Sequence, residues 1–361
     1  MKRFFYIIMV LIMLAGSAYS FGDTAGPELG ISEVKEMAAN NSRQAALDDL
    51  EIKSLKSALE KALKDAKMTP DAYGPYSVLN NKIVREVRPI EAQTALEAAE
   101  KRKLDKLNIL KNNVEKAFLE ILLIREELEL ENFKLGILNK RHLILEKKYE
   151  EDLITINELE DMQYTIESKK FDIAAARAKL DSLDMKLKNH LDLPLGGEPV
   201  DISGKIVYKP YNTVAMDNII NRAMENSTDI YVRQMEVKAK DKNMEITASY
   251  YKEGGTIYDT AAFNLEMAKS ELENSKTSLE VNIKNTYNNL LDKMGKVELA
   301  LKYEEIAKKK LDIAKIKYEN GLISMEQLLK EEQDLRQAEY QTLKSVFDYN
   351  MARIDFEAFW N

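Results

Sequence analysis

Apolar residues recur along most of the chain at three- and four-residue spacing, the period of a helix with one buried face. Between residues 32 and 66 they fall at Ala38, Ala45, Leu47, Leu50, Leu55, Ala58, Leu59 and Ala62. That spacing predicts a first helix, with Ser32 as its cap. Leu104, Leu107, Val114, Phe118, Leu122, Leu128 and Leu135 continue the period over residues 90–151, with Pro89 suited to the first turn. Further helices are predicted over 157–190, 217–249, 260–319 and 325–359. Three stretches interrupt the pattern. Residues 67–88 carry Pro70, Gly74 and Pro75 and hold one strand candidate, Tyr76–Val87. Residues 191–211 hold three of the seven prolines, with Ile202–Tyr208 as a short strand candidate. Residues 250–259 break at Gly254-Gly255.

Two of the helix-to-helix connections share a sequence. YEEDLITINEL at Tyr149–Leu159 and YENGLISMEQL at Tyr318–Leu328 align at Tyr149/Tyr318, Leu153/Leu322, Ile154/Ile323, Thr155/Ser324 and Leu159/Leu328. Gly321 can take the left-handed conformation that ends a helix. Asp152 stands in its place upstream and tolerates that conformation better than most residues do. Ser324 with Gln327, and Thr155 with Glu158, each read as a capping box opening the next helix. The halves also share Ala38-Ala39-Asn40-Asn41-Ser42 and Ala223-Met224-Glu225-Asn226-Ser227. Ser42 and Ser227 lie 185 apart, whereas Phe118/Tyr287 and Tyr149/Tyr318 each lie 169 apart. The first half therefore carries about 16 extra residues near 67–88. The chain divides into a first helical-hairpin repeat (21–190, tip at 152–155), a linker (191–213) and a second repeat (214–361, tip at 321–324). At 1.5 Å per residue the 90–151 helix spans ~90 Å, and the two shorter rods of its repeat, stacked end to end, match it.

Residues 1–20 stand outside this organisation. Lys2 and Arg3, the apolar run Phe4–Leu14 and Ala18-Tyr19-Ser20 form a secretory signal peptide. No other stretch reaches the ~18 apolar residues of a membrane-spanning helix. The net charge of −8 argues against nucleic acid as a partner. With no cysteine, thiol chemistry and disulfides are excluded. His142 and His190 are the only histidines, neither with a second ligand at metal spacing, so no metal site is expected. No phosphate loop or nucleophile elbow is present, and neither a cofactor nor enzymatic activity is expected.

The tip residues Asp152, Leu153, Ile154, Thr155, Gly321, Leu322, Ile323 and Ser324 are the candidate site. As local chemistry they are caps that any helical hairpin could use. Four of them are apolar at an otherwise polar turn, which also suits docking against a partner. Glu150, Glu151, Glu158, Glu160, Asp161, Glu326, Glu331 and Glu332 surround them, either as a solvated face or as a cation-attracting constriction in a convergent assembly.

The duplication, the tips, the two Asn-Ser segments and Leu193-Pro194-Leu195 resemble the outer-membrane efflux protein family, the TolC-like proteins. The most specific piece runs from Ala314 to Phe356. The resemblance implies a mainly α fold of duplicated long hairpins, assembling as a homotrimer into a twelve-helix α-barrel. It implies an exit duct for efflux or type I secretion, in the outer membrane or periplasm. Its tips would dock a periplasmic adaptor and, through it, an inner-membrane pump. The family also builds a shared membrane β-barrel from four strands per chain, and the breaks at 67–88 and 250–259 are too short for spanning strands. The barrel is therefore expected to be absent or vestigial. A barrel-less structural or adaptor-like coiled-coil protein of the envelope is the alternative.

Overall fold

The computed structural model describes residues 29–212 and 215–360. The expected signal peptide, residues 1–20, lies outside them. Among the described residues nine α-helices follow in order: α1 (Ile31–Asn41), α2 (Arg43–Met68), α3 (Pro75–Lys82), α4 (Arg88–Glu150), α5 (Ile156–His190), α6 (Met216–Asn226), α7 (Thr228–Ala248), α8 (Thr256–Glu319) and α9 (Met325–Glu357). The longest are α4, with 63 residues, and α8, with 64, each ~95 Å long at 1.5 Å per residue. The fold is the expected one: mainly α, with two long hairpins.

Four local expectations change. The first helix is capped by Gly30, whose N–H donates to Glu33 Oε2 at 2.6 Å, rather than by Ser32. It then breaks at Ser42, which is extended (φ −60°, ψ 109°) and caps α2 by accepting from the Ala45 amide. Ser227 (φ −64°, ψ 118°) divides α6 from α7 in the same way, accepting from Ile230. The shared Asn-Ser segments are thus paired breaks, each remade by a serine N-cap.

The strand candidate Tyr76–Val87 is helical. Leu79, Ile83, Val87 and Ile90 keep helical spacing and pack on Ala239 and Ile246 of α7. Between α3 and α4 the chain forms a π-turn, Ile83–Val87, where the Arg88 amide donates to the Ile83 carbonyl. Pro89 explains the turn. Its ring has no N–H to offer and crowds the carbonyl four residues back, and a π-bulge absorbs that mismatch. The second strand candidate, Ile202–Tyr208, reduces to a single parallel bridge between Leu29 and Ile202, the only β-pairing among the described residues.

Each long helix is flanked by its rods. In the first repeat α2 and α1 pack on the early part of α4, and α5 packs on the late part. The rods meet end to end: Asp192, just beyond α5, accepts from the Arg43 amide at 2.9 Å, and Asn41 donates to the Leu191 carbonyl. The repeat reappears in the two main cores. Val34/Ile219 and Ala38/Ala223 are buried at an offset of 185, and Val114/Ile283, Ile121/Leu290 and Leu187/Phe356 at 169.

The linker crosses both repeats as a belt. Asp184 accepts from the Val200 amide at 2.7 Å and pairs with the buried Lys188 at 2.8 Å, whose Nζ reaches the Gly197 carbonyl. Arg125 donates to the Ile202 carbonyl, Tyr349 Oη to that of Lys209, and Asn350 to that of Val207. Gly204 passes so close to Phe118 that a Cβ would lie 3.2 Å from its ring. Phe356 closes the second core, with Trp360 edge-on at 4.6 Å and Tyr211 at 5.6 Å. Phe356→Ala should therefore destabilise the chain by about 3–5 kcal/mol, read as a fall in the urea unfolding midpoint.

Candidate functional site at the hairpin tips

Both tips reverse the chain by one residue in the left-handed conformation: Asp152 at φ 58° and Gly321 at φ 70°. The hydrogen bonds around them are the same. At the first tip Leu153 donates to the Lys148 carbonyl at 2.8 Å and Asp152 to that of Tyr149 at 3.0 Å. At the second, Leu322 donates to Lys317 at 2.8 Å and Gly321 to Tyr318 at 2.9 Å. This six-to-one and five-to-two pair is the Schellman closure, which satisfies carbonyls that a helix end would leave open.

The restarts differ. Ser324 forms the full capping box: Oγ accepts from the Gln327 amide at 3.2 Å, and the Ser324 amide donates to Gln327 Oε1 at 2.9 Å. Thr155 adopts the same extended N-cap backbone (φ −88°, ψ 159°), but its hydroxyl accepts nothing, so the Thr155–Glu158 box does not form. β-Branching leaves threonine fewer χ1 choices than serine at this position.

The paired apolar residues divide by role. Leu153 is 67% exposed and Leu322 72%, both at the apex. Ile154 and Ile323 turn inward and are half-buried. Ile323 packs with Tyr318 and Leu335 on Leu311, Ala314 and Leu328. Beside it, α8 and α9 leave an open groove of about 500 Å³ lined by Ile313, Ala314, Lys317, Ile323, Gln327 and Lys330.

The two tips stand side by side, joined by Lys148 Nζ to Glu326 Oε1 at 2.9 Å. That bridge was not legible in the sequence, because nothing in one repeat states which charge of the other it meets. The exposed Ile156 and Met325, each the first residue of its outgoing helix, widen the apolar apex. They occupy equivalent positions in the two copies, a signal the sequence does carry. Among the described residues no group of carboxylates and histidines has metal-binding geometry. His142 faces Glu146 on its own helix at 3.4 Å. His190 is half-buried beside Lys186, and burial first and that lysine second depress its pKa, which favours the neutral ring.

No family model matches the chain, and no curated protein does. Solved structures do match. The outer membrane protein VceC of Vibrio cholerae superposes with a TM-score of 0.69 at 12% identity, over 92% of this chain and 96% of that one. The CmeC outer membrane channel of Campylobacter jejuni gives 0.67 at 12%, over 95% and 90%. The open MtrE outer membrane channel of Neisseria gonorrhoeae gives 0.63 at 13%, over 96% and 95%.

A Cβ on Gly321 would meet nothing within 4 Å, so any substitution cost there is conformational. Gly321→Val should lose at least about 1–2 kcal/mol. Asp152→Gly should gain about 0.5–1 kcal/mol, the released strain exceeding the added unfolded-state entropy. Denaturant midpoints of the two variants check both signs. The chain thus has the fold of the outer-membrane channels, the TolC-like architecture of long paired helices.

Proposed function

We propose that the chain is an exit-duct subunit, three copies of which close into a tube that carries efflux or secretion substrates out of the cell envelope. The observation that carries this reading is the pair of matched tips: two left-handed reversals side by side, with Leu153 and Leu322 standing exposed at the apex. Exposed leucines at a turn gain by being covered, and the fold presents both in one place. The partner is a periplasmic adaptor whose own helical ends meet these tips, coupling the duct to an inner-membrane pump. Transport through the duct is passive, and the chain catalyses no reaction.

One observation favours a second reading. Where the family would insert barrel strands, α2 and α3 are joined by a short turn with Gly74 at φ 86°, and α7 and α8 by a turn with Gly254 at φ 83°. A scaffold of the envelope that keeps the hairpins without a channel would look the same at this end.

Mass measurement of the chain from Phe21 onward separates the readings. The duct proposal expects a trimer in detergent-free buffer. A trimer only in detergent would point to a membrane-spanning channel, and a monomer in both would favour the scaffold. In producing cells, L153D/L322D should retain a dye as strongly as a strain lacking the protein, while its mass and thermal midpoint stay unchanged. Normal dye export by that variant would remove the tips from the function.

A further inference from the structure

Two turns close the rods at the end opposite the tips. Residues 69–74 join α2 to α3, and residues 249–255 join α7 to α8. They stand side by side: Lys82 lies over the Tyr250 ring at 5.6 Å, and Tyr251 packs on the core of Leu79 and Ile246. Five of the seventeen tyrosines fall in or beside these turns, at Tyr73, Tyr76, Tyr250, Tyr251 and Tyr258, a density several times that of the whole chain. Tyr251 and Tyr258 are half-buried. Tyr73 is 98% exposed, and Tyr76 and Tyr250 are exposed as well. Met68, the last residue of α2, and Ile257, in the first turn of α8, extend the same exposed crown.

The first turn is built to hold Tyr73 out. Arg85 donates through Nε and Nη2 to the Thr69 carbonyl, at 3.1 and 2.6 Å, and reaches Asp71 Oδ1 at 3.0 Å. Asn81 donates to the Pro70 carbonyl at 2.8 Å. Gly74, at φ 86°, then turns the chain into Pro75 and α3. Side chains of α3 and the π-turn thus clamp the loop from behind, and the position of Tyr73 is fixed by them. An aromatic ring held in water in this way gains by being covered.

We infer that this crown seats on a phospholipid surface, with its tyrosines at the level of the headgroups and no part of it spanning the bilayer. Three observations choose lipid as the occupant. The first is residue type. A tyrosine ring is apolar along its body and polar at its hydroxyl, the combination that gathers at the boundary between membrane and water. The second is depth. Exposed charges return one turn along the rods, at Asp65 on α2, Glu245 on α7 and Asp259 on α8. One turn is ~5 Å, which matches the ~5–10 Å of an interfacial anchor and falls far short of the ~30 Å hydrocarbon core. No helix among the described residues is long and apolar enough to cross a membrane. The third is charge. Within the two turns Asp71 is paired with Arg85, and Lys252 stands next to Glu253, so the crown is close to neutral. The tips are the reverse, with Glu150, Glu151 and Asp152 at one and Glu326, Glu331 and Glu332 at the other. A phosphate-bearing surface repels the acidic tips and admits the neutral crown, so the rods stand with their tips away from the membrane. This seating goes beyond the duct reading and holds for a duct and a scaffold alike, since both keep this end.

The test is flotation of the chain from Phe21 onward, in detergent-free buffer, with vesicles of phosphatidylethanolamine and phosphatidylglycerol. The chain should float with the vesicles. Y73S/Y76S should float about tenfold less, having lost two covered rings, with its thermal midpoint unchanged because both side chains are exposed. L153D/L322D, altered at the tips, should float as the unaltered chain does. Depth is read separately. Trp360 is the only tryptophan, so Tyr73→Trp in a Trp360→Phe background reports from the crown alone. Its emission should be quenched more by lipid brominated near the headgroup end of the chains than by lipid brominated at the chain ends. Stronger quenching from the chain ends would mean that this end spans the bilayer, which overturns the seating. Absence of flotation, equal flotation of Y73S/Y76S, or loss of flotation in L153D/L322D overturns it as well. So does sedimentation with insoluble peptidoglycan in place of flotation, which would assign the tyrosines to glycan stacking. None of these outcomes alters the mass measurement that tests the duct.

Discussion

Two residues with positive φ make this molecule possible. A helix of more than sixty residues has no intrinsic reason to stop, and a hairpin requires that it stop and reverse within four or five. Asp152 and Gly321 do this by taking the left-handed conformation, after which two backbone bonds close over each helix end. Everything else is a consequence of that reversal. Only a reversed chain can lay α5 along α4 and α9 along α8, and only then do the apolar stripes of those helices find partners. The reversal also fixes where apolar residues must be exposed. The residue after the left-handed one points outward at the apex, and in both copies it is leucine.

At the other levels the chain holds itself with polar chemistry where it lacks apolar depth. A row of helices one layer thick has little interior, and the main cores lie at the belt, where α1, α6 and the linker add a second layer. The linker has no sheet to join, so its carbonyls are met by Arg125, Tyr349, Asn350 and Lys188. The buried Lys188–Asp184 pair belongs to this scheme: each charge also holds a linker backbone group, so neither is left unsatisfied. Farther along, Tyr231 donates to Glu97 and Thr228 to Asp105 at 2.7 Å, tying α7 of the second repeat to α4 of the first. Burial and the carboxylate beside it push the Tyr231 phenol up to about 12, so this tie stays protonated across physiological pH.

Much of this was legible in the sequence, for a reason that also explains the failures. Long helices announce themselves by period, and a duplicated chain repeats its signals. The ends of α4, α5, α8 and α9 fell within a few residues of expectation, and the left-handed residues were identified by type. What failed was decided by distant residues in one case and by local cap chemistry in the others. Tyr76–Val87 was read as extended because prolines surround it. Its Leu79, Ile83, Val87, Ile90 spacing is helical, and α7 rewards that face from more than 150 residues away. Thr155 and Ser324 look equivalent as caps, and only rotamer freedom separates them. The breaks at Ser42 and Ser227 were visible as a shared motif but not as breaks, since serine N-caps follow directly on intact helical patterns.

The same logic bears on the end opposite the tips. Each repeat must connect its second rod to its long helix there, and it does so through turns in which Gly74 and Gly254 take positive φ. Both connections are thus built like the tips, by a permissive residue followed by a new helix start, with Pro75 opening α3 and Gly255 capping α8. Lys82 lies over the ring of Tyr250 at 5.6 Å, and Lys242 bridges to Glu86 at 3.1 Å, so the two repeats are fastened to each other at this end as Lys148 and Glu326 fasten them at the tips. A chain fastened at both ends and belted in the middle holds its two repeats together along their length.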